Sequence, residues 1–353
     1  MKAKRSLTAF ILALLLAVGM TAWQAPASAA AEEQNELQVL RVKDWILDVM
    51  TEDYYKFEVV FDGDVLPFGD GEVVVEEATE QSFEGMDIVL GAAQNPLAKQ
   101  FAPVIVKAGA MFVDNSSAFR MDDSVPLVVP EINPEDVKKH HGIISNPNCS
   151  TIITMTAIAA LNRISPIETM VASTYQAVSG AGAGELAELE QQARDFAAGR
   201  PMEAKVFPWQ IAFNVIPQIG SDSGNGYTSE EMKMQNEGRK IMHLPDLKVT
   251  CTCVRVPVLR SHSISVTLHT QRKISVEEAR AAIAQAPGCK LCDDLDNKVY
   301  PMPLDTSDQD IVFVGRIRDD LTDEKGLSLW CSGDQIRKGA ATNAIQIAEL
   351  LVK

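Results

Sequence analysis

The sequence predicts an α/β protein with two parts: an incomplete parallel-sheet domain, then an α+β domain built on a mixed sheet. Short apolar strands alternate with helices between residues 71 and 147, which is typical of a mainly parallel sheet. In the second half the strands are rich in β-branched residues, and helices are expected on one face of their sheet. The chain has 353 residues, 46% of them hydrophobic, which suffices for two cores.

Charge and cysteine content exclude several classes of function. The net charge of −16 argues against a nucleic-acid partner, because the phosphate backbone would repel the chain. Six cysteines in a chain of this length do not form a disulfide scaffold. Cys289 and Cys292 have the spacing of redox and zinc sites, but no second pair or set of histidines accompanies them. We therefore predict no metal site and leave the role of this pair open.

The N-terminus has the pattern of a secretory signal peptide. Basic residues between positions 2 and 5 precede an apolar run over 7–20, and an A-x-A cleavage pattern ends at Ala29. The apolar run is too short for a stable membrane span. Residues 1–29 taken alone therefore predict export, which would place the thiols of the chain in an oxidising compartment.

The first half of the chain becomes regular only after residue 70. Before that, residues 36–50 have helical apolar spacing and residues 54–61 are compatible with a strand. Beyond it we predict strands at 73–75, 87–90, 111–114, 127–129 and 143–144, with a helix between the second and third that ends near 108. Ligands are expected at the carboxyl ends of such parallel strands.

The second half alternates longer strands with helices. A long strand over 169–178 leads into a segment with glycine at every second position, 179–184, and then into a polar helix ending near 197. Ser275 and Glu278 form a capping box at the start of another helix. Further strands are predicted at 248–258, 263–270, 311–317 and 327–331, and a final amphipathic helix at 335–351.

Cys149 is the first candidate for chemistry, because it lies between an Asn-Pro turn and the helix predicted over 151–161. A thiol at a helix N-terminus faces unpaired backbone N–H groups and the positive end of the helix dipole, which favour the thiolate. The same N–H groups can hold an oxyanion after the thiolate has attacked a carbonyl. The alternative is a buried structural cysteine, which is the commoner fate of a single free thiol.

Other charged residues are candidate partners of Cys149. Arg255 and His262 lie at the end and the start of consecutive strands, so both are expected at one sheet edge. Glu230 and Lys233 are three residues apart and share one helical face, although a solvated ion pair is the simpler interpretation. Arg120 follows a polar loop, as either an anion site or an ordinary surface residue. His262 alone would also be compatible with a structural role.

Taken together, these segments resemble the aspartate-semialdehyde dehydrogenase family. The resemblance runs in family order from about residue 71 to the C-terminus, and its segments are DNSSAFRMD, VPLVVPEINPE, SNPNCSTI, STYQAVSGAGAGELAELE, FNVIPQIG, YTSEEMKM, CVRVPVLRSHS, YPMPLD and VFVGRIR. It implies NADPH-dependent conversion of L-4-aspartyl phosphate to L-aspartate 4-semialdehyde. That reaction stands on the route to lysine (by way of diaminopimelate), threonine and methionine. The resemblance also implies a homodimer located in the cytoplasm.

The resemblance implies a role for each matching residue. Cys149 is the nucleophile that forms a thioester, His262 is the acid/base that handles the proton of the hemithioacetal, and Gln176 orients the substrate. Arg255 binds the substrate carboxylate in a bidentate fork, and Glu230 binds its ammonium group. The residues implied for phosphate are Lys233, Arg120 and Asn148, and those implied for the NADP cofactor are Ser179, Gly180, Gly182 and Asn343.

The family pattern also sets the expected domains. It implies a Rossmann-like, atypical dinucleotide-binding domain over 30–147 that is completed by a C-terminal helix, 334–353. A catalytic and dimerisation domain spans 148–333. The pattern departs at the N-terminus, where no G-x-G-x-x-G opens a first helix and no arginine for the 2′-phosphate of NADP is identifiable.

Three explanations of this departure stand open. The N-terminal reading frame is misassembled, the chain is a relative that no longer binds NADP, or an exported protein reuses the fold for binding. The alternative function is accordingly a cofactor-deficient paralogue that acts as a binding or structural module. N-acetyl-glutamyl-phosphate reductases use similar chemistry, but are expected to lack the pattern of Glu230, Lys233 and VRVPVLRSHS.

Overall fold

The computed structural model describes residues 9–12, 38–42, 65–68 and 71–352, and it divides the chain into two compact units. The first unit comprises the described residues that lie within Met1–Phe119 and His141–Ser145. The second comprises Arg120–His140 and the chain from Asn146 onward. The domain limits expected from the sequence, at 29, 147 and 333, stay predictions.

The first unit contains a sheet whose described strands run in the order β3-β4-β2-β1-β5-β6-β7. The strands β1, β5, β6 and β7 are parallel to one another, whereas β2 and β3 pair with their neighbours in antiparallel fashion. The strands are β1 (Ala9–Leu12), β2 (Gln38–Val42), β3 (Val65–Phe68), β4 (Gly71–Glu77), β5 (Ile88–Gly91), β6 (Met111–Asp114) and β7 (Ile143–Ser145). A helix, α1 (Asn95–Lys107), connects β5 to β6.

Burial explains why these segments form a parallel sheet with a covering helix. All four residues of β5 are buried, as expected for a strand with both faces covered. The apolar face of α1 buries four residues at helical spacing: Ala98, Phe101, Ala102 and Ile105. A side chain at Gly91 would displace the ring of Phe112, because its Cβ would lie 2.3 Å from that ring.

Two predicted elements take another form. Residues 36–50 were expected to be helical, but Gln38–Val42 forms the strand β2, so the prediction is wrong there. A short apolar run fits both periods, and pairing with β1 and β4 decides the outcome. The remaining residues of that segment, and the strand expected at 54–61, lie outside the described residues.

The strand predicted at 127–129 belongs to the second unit and is a buried segment in which Leu127 forms a single β-bridge but no ladder follows. The side chain of Asn133 forms the hydrogen bonds to this segment that a neighbouring strand would form. Its Oδ1 accepts the backbone N–H of Val129 at 2.9 Å, and its Nδ2 donates to the carbonyl of Leu127 at 2.9 Å. These bonds satisfy the backbone polar groups that a ladder would otherwise pair.

The predicted signal peptide lies outside the described residues apart from β1, so it stays a prediction, as does the location of the protein. The sequence did not predict β1, which lies parallel to β5. Across the described ranges, no helix combines the length and the apolarity that a membrane crossing requires.

The second unit is built on a mixed sheet, as predicted, whose described strands run in the order β11-β12-β13-β10-β8-β9. The pairs β8–β9 and β11–β12 are parallel, and the other pairs are antiparallel. The strands are β8 (Ile167–Gln176), β9 (Lys248–Arg255), β10 (His262–Thr270), β11 (Cys289–Leu291), β12 (Val312–Asp319) and β13 (Gly326–Gly333).

The helices of the second unit are α2 (Cys149–Ile164), α3 (Ala183–Ala197), α4 (Ser229–Met242), α5 (Val276–Ala284), α6 (Pro303–Thr306) and α7 (Thr342–Val352). Of these, α2, α4, α5 and α6 pack against strands of the mixed sheet. A π-helical turn, Arg337–Ala341, precedes α7. The predicted capping box of Ser275 and Glu278 is present at the start of α5 and is confirmed.

The core of the second unit lies between α2 and one face of the sheet. Every residue of α2 from Ser150 to Leu161 is buried, and its apolar residues cluster with those of β10 and β13. On the other face Val171 and Tyr175 are exposed, and the ring of Tyr175 lies 5.2 Å from that of Trp330. One face of the sheet is therefore core, and the other carries an apolar surface.

A buried carboxylate fixes the long irregular segment after α3. The side chain of Glu188, on α3, accepts the backbone N–H groups of Lys205, Val206 and Phe207 at 2.5–3.3 Å. Gln192, one turn further along α3, donates to the same carboxylate and to the carbonyl of Glu203. The segment thus gains its order from side chains of the helix that precedes it.

We expect Glu188→Ala to lower the free energy of unfolding by about 1.5–3 kcal/mol, because three backbone N–H groups lose a charged acceptor. Urea denaturation of the full chain measures this change. Glu190→Ala is the matched control, since Glu190 lies on the same helix and pairs with the exposed Arg194, an interaction worth less than about 1 kcal/mol. Equal losses in the two variants would contradict the assignment.

Candidate active site

The predicted nucleophile lies at the N-terminus of α2, where the sequence placed it. Cys149 is the first residue of the helix, and Asn148 is its N-cap. The Oδ1 atom of Asn148 accepts the backbone N–H of Thr151 at 3.1 Å and the hydroxyl of Ser150 at 2.7 Å. The start of the helix is thereby fixed directly beside the thiol.

The surroundings of Cys149 favour the thiol over the thiolate. The residue keeps partial exposure to solvent, but burial of the sulfur raises the pKa of the thiol to about 12. The charge of Glu230 raises this pKa further, whereas Arg120, Arg255 and Lys233 lower it. The thiolate expected from the position at a helix start is therefore not favoured here, because desolvation outweighs the cations.

Glu230 is the centre of the hydrogen-bond network around this cysteine. Its Oε1 accepts from Asn148 Nδ2 at 2.8 Å and from Gln176 Nε2 at 3.4 Å, and its Oε2 pairs with Lys233 Nζ at 2.9 Å. Burial opposes ionisation of this carboxyl, but the charge and hydrogen bond of Lys233 outweigh it and bring the pKa of Glu230 to about 2. The carboxylate is therefore ionised at neutral pH.

His262 is fully buried and neutral. Its Nδ1 accepts the backbone N–H of Ala177 at 3.0 Å, which assigns the proton of the neutral ring to Nε2. Gln176 Nε2 lies 3.4 Å from that Nε2 atom. Burial, aided by the charge of Arg255, lowers the pKa of His262 to about 3, so the imidazolium is strongly disfavoured.

Strand register brings three predicted residues to one sheet edge. Gln176 ends β8 opposite Arg255, which ends β9, and His262 begins the antiparallel strand β10 on the other side of β8. Arg255 Nη1 donates to the carbonyl of Ala177 at 2.6 Å. The expectation that Arg255 and His262 share one edge is confirmed.

The segment with alternating glycines passes directly against His262. A Cβ at Gly180 would lie 2.6 Å from Cε1 and 2.8 Å from Nε2 of the imidazole, so only glycine fits. Ser179 accepts from Gln335 Nε2 at 2.6 Å, and Gly182 has a φ of 141° before α3 begins. Of these predicted residues, Gly180 is the one that borders the histidine.

Arg120 reaches the same cluster through an acidic residue that the sequence analysis missed. Arg120 Nη1 lies 3.2 Å from Glu237 Oε1, and Glu237 Oε2 accepts the backbone N–H of Asn148 at 2.7 Å. Glu237 follows Glu230 by seven residues and Lys233 by four, so all three lie on one face of α4. Its spacing of seven and four residues from Glu230 and Lys233 is the signal in the sequence that identifies it.

Gly339 is a second residue that the sequence analysis missed. A Cβ on it would lie 3.1 Å from the Cβ of Cys149, so its backbone passes close to the nucleophile. Asn343, one turn later, is buried. Its Nδ2 donates to Asn146 Oδ1 at 2.6 Å, and its Oδ1 accepts from Lys338 Nζ at 3.0 Å. These bonds engage the amide of Asn343 within the protein, and its expected role at the cofactor stays a prediction.

The C-x-x-C pair has ordinary surroundings. Cys289 Sγ donates to the carbonyl of Thr156 at 3.3 Å, and burial raises the pKa of its thiol to about 12. Within the described ranges, no group of three or more His, Cys, Asp or Glu side chains is arranged to hold a metal ion. The role of Cys292 stays open.

Known proteins and family models match most of the chain. A family model described as the NAD binding domain of semialdehyde dehydrogenase matches residues 57–140, and one described as its dimerisation domain matches residues 158–338. The aspartate-semialdehyde dehydrogenase of Synechocystis is 50% identical over 82% of this chain and 86% of that protein. The enzyme of Aquifex aeolicus is 51% identical over 83% and 87%.

A solved structure gives the same result. Aspartate semialdehyde dehydrogenase II from Vibrio cholerae superposes with a TM-score of 0.79 and 41% identity, covering 82% of this chain and 87% of the other. The same protein complexed with ASA superposes with a TM-score of 0.80 and 39% identity, covering 87% and 93%. These likenesses extend over both halves of the chain.

We expect Gly180→Ala to lower the free energy of unfolding by about 1–3 kcal/mol, because its methyl group would overlap the imidazole of His262. Gly184→Ala is the matched control. A Cβ there meets only the methyl groups of Val206 at 3.7 Å, and alanine in a helix adds about 0.4–1 kcal/mol of stability. Denaturant titration of both variants tests the contrast. If Gly180→Ala is as stable as Gly184→Ala, the close contact does not exist.

We expect alkylation of Cys149 by iodoacetamide to accelerate about tenfold per pH unit between pH 7 and 10, without a plateau. The reason is that only the thiolate reacts and the pKa of the thiol is about 12. Peptide mass spectrometry at timed intervals measures the rate. Glu230→Gln removes a charge that raises this pKa, so alkylation should be faster in that variant. A plateau below pH 9 in the unaltered protein would overturn the expectation.

Proposed function

The chain belongs to the aspartate-semialdehyde dehydrogenase family, and we propose that it reduces L-4-aspartyl phosphate to L-aspartate 4-semialdehyde through a thioester on Cys149. The observation that carries this proposal is the network around Glu230, which joins Asn148, Gln176 and Lys233 directly beside Cys149. This arrangement supplies a nucleophile, a buried imidazole and charges of both signs. The product of the reaction is a precursor of lysine, threonine and methionine.

In the first step, Cys149 Sγ attacks the acyl carbon of the substrate. A carbon–sulfur bond forms, the bond between the acyl carbon and the phosphate oxygen breaks, and phosphate leaves as HPO4²⁻ with the proton that the thiol gives up. Because the thiol has a raised pKa, the attacking thiolate is a minor species that forms as the reaction proceeds. We assign stabilisation of the oxygen that becomes negative during the attack to the backbone N–H groups of Cys149 and Ser150 at the start of α2, since the N–H of Thr151 bonds the cap.

His262 acts on the oxygen of the tetrahedral adduct. Its Nδ1 is held by the N–H of Ala177, so the neutral ring offers Nε2–H as a donor. A neutral imidazole with this tautomer stabilises an alkoxide by hydrogen bonding, and its low pKa keeps it from being trapped as a cation. We assign to this nitrogen the handling of the hemithioacetal proton. Gln176 orients the substrate beside it.

Charged residues recognise the two ends of the substrate. We assign the substrate carboxylate to Arg255, whose guanidinium suits a bidentate fork, and the ammonium group to the ionised Glu230. Lys233, Arg120 and Asn148 are assigned to phosphate. The position of Lys233 supports this role, because 30% of its side chain is exposed to solvent although its ammonium group pairs with Glu230.

We propose NADP as the hydride donor, in a domain that matches the NAD-binding family model. The described residues fit a nucleotide at the carboxyl ends of β5 and β6. These ends carry small and polar residues, at 91–93 and 115–117, and β5 leads directly into α1. When bound, the cofactor supplies hydride.

The matched dimerisation domain indicates a homodimer. We propose that the interface is the outer face of the mixed sheet, where Val171 and Tyr175 are exposed and Trp330 contacts the Tyr175 ring. Exposed apolar residues on a sheet face are typical of a surface that another subunit covers.

We expect Cys149→Ser to reduce turnover by about 10³-fold or more, because an alcohol at this position is a far weaker nucleophile than a thiolate. The assay follows NADPH formed from L-aspartate 4-semialdehyde, NADP and phosphate. Unchanged turnover in this variant would refute the thioester mechanism.

Binding of NADPH is measured separately by its fluorescence, in the unaltered protein and in Cys149→Ser. Micromolar binding in both proteins separates loss of the nucleophile from loss of the cofactor site. Absence of binding in the unaltered protein would favour the alternative function, a cofactor-deficient binding module.

A further inference from the structure

One face of α4 carries four charged residues at helical spacing. Glu230, Lys233, Glu237 and Lys240 occupy positions i, i+3, i+7 and i+10. The first two contact the residues around Cys149, as described above. The other two face the loop that bears Arg120, and their geometry identifies a further role for the helix.

Lys240 holds the backbone of that loop. Its Nζ donates to the carbonyl oxygens of Arg120 at 2.9 Å, Asp122 at 2.7 Å and Val125 at 2.8 Å. An ammonium group has three N–H donors, so all of them are used on one short loop. The loop begins at Arg120, which lies 8% exposed, and continues through exposed residues at 121–124.

Glu237 holds the guanidinium. Its two oxygens divide their contacts: Oε1 pairs with Arg120 Nη1 and Oε2 accepts the N–H of Asn148. The same carboxylate therefore links the guanidinium to the residue that precedes Cys149. Together, Lys240 fixes where the backbone of Arg120 lies and Glu237 fixes how its side chain is directed.

We propose that Glu237 and Lys240 are positioning residues that hold Arg120 in register with the start of the Cys149 helix, so that its guanidinium can bind phosphate. This inference rests on the proposed function, which assigns phosphate to Arg120. Neither residue is required to touch the substrate. Lys233 and Glu230, on the same helix face, contact the site directly, so α4 aligns both ends of the substrate at once.

The chemistry of Lys240 fits a positioning role. Partial burial of its ammonium carries a desolvation cost that offsets part of the stability gained from its three hydrogen bonds. An ammonium that bonds three carbonyls fixes a backbone path in three directions. Such precision matters where a displacement of about 1 Å weakens an interaction with substrate.

The test measures KM and kcat of the full chain in the oxidative direction, in which L-aspartate 4-semialdehyde, NADP and phosphate are the substrates. We expect Lys240→Met to raise the KM for phosphate about tenfold, while the KM for L-aspartate 4-semialdehyde stays within about twofold and kcat within about threefold. Arg239→Met is the matched control, because Arg239 is the adjacent cation on α4 and donates to a different carbonyl, that of Leu247, at 2.7 Å. The control should leave both KM values unchanged.

Non-additivity shows whether Lys240 acts through Arg120. Once Arg120→Ala has removed the guanidinium, adding Lys240→Met should not raise the KM for phosphate further. Glu237→Gln should raise this KM by about threefold to tenfold and also lose its effect in the Arg120→Ala background. Additive effects, or equal increases in the KM of phosphate and of aldehyde, would overturn the proposal. So would a loss of thermal stability without any change in the KM for phosphate.

Two further measurements separate this proposal from the proposed function. Calorimetric titration of inorganic phosphate into the unaltered protein, Lys240→Met and Arg239→Met reports phosphate affinity without turnover. Weaker phosphate binding in Lys240→Met, with unchanged binding in Arg239→Met, supports the positioning role even if the chain shows no dehydrogenase activity. In that case the proposed reaction is refuted and the positioning role is not. No phosphate binding by the unaltered protein refutes the positioning role. If Lys240→Met does not fold, Lys240→Gln, which keeps two N–H donors, should give a smaller increase in the same KM.

Discussion

The ionised, buried carboxylate of Glu230 is the interaction on which the site depends. It accepts hydrogen bonds from side chains on three different elements: Asn148 at the start of α2, Gln176 at the end of β8 and Lys233 on α4. A charge removed from water must be compensated by partners with fixed geometry, so those three elements have little freedom relative to one another. The nucleophile inherits its position from this constraint, because Cys149 follows Asn148 directly.

The two central groups of the site are held neutral by the same burial that orders the charged ones. Desolvation raises the pKa of Cys149 and lowers that of His262, while the surrounding cations oppose the first shift and reinforce the second. A neutral thiol and a neutral imidazole are stable in a dry site, and charge develops only while bonds change. The fixed N–H groups and cations then act on that developing charge without rearranging.

Much of this was accessible from the sequence, and the exceptions have physical reasons. The mixed sheet, the start of α2 and the shared edge of Arg255 and His262 followed from strand periodicity and turn chemistry. The protonation state of Cys149 did not, because desolvation depends on residues brought together by folding. The strand β2 was taken for a helix, since its short apolar run fits both periods until β4 supplies the ladder. Glu237 was overlooked, although its spacing on α4 was readable.

A buried ion pair limits how the chain can change. Lys338 is fully buried beside Asn343, and its Nζ contacts both oxygens of Glu131 at 2.6–2.7 Å. Loss of either partner leaves an uncompensated charge in the interior, at a cost of about 3–5 kcal/mol. Replacing both by well-packed apolar residues costs far less. A single substitution at either position therefore destabilises the protein, although the two positions lie 207 residues apart. Divergence at these positions requires that both residues change together.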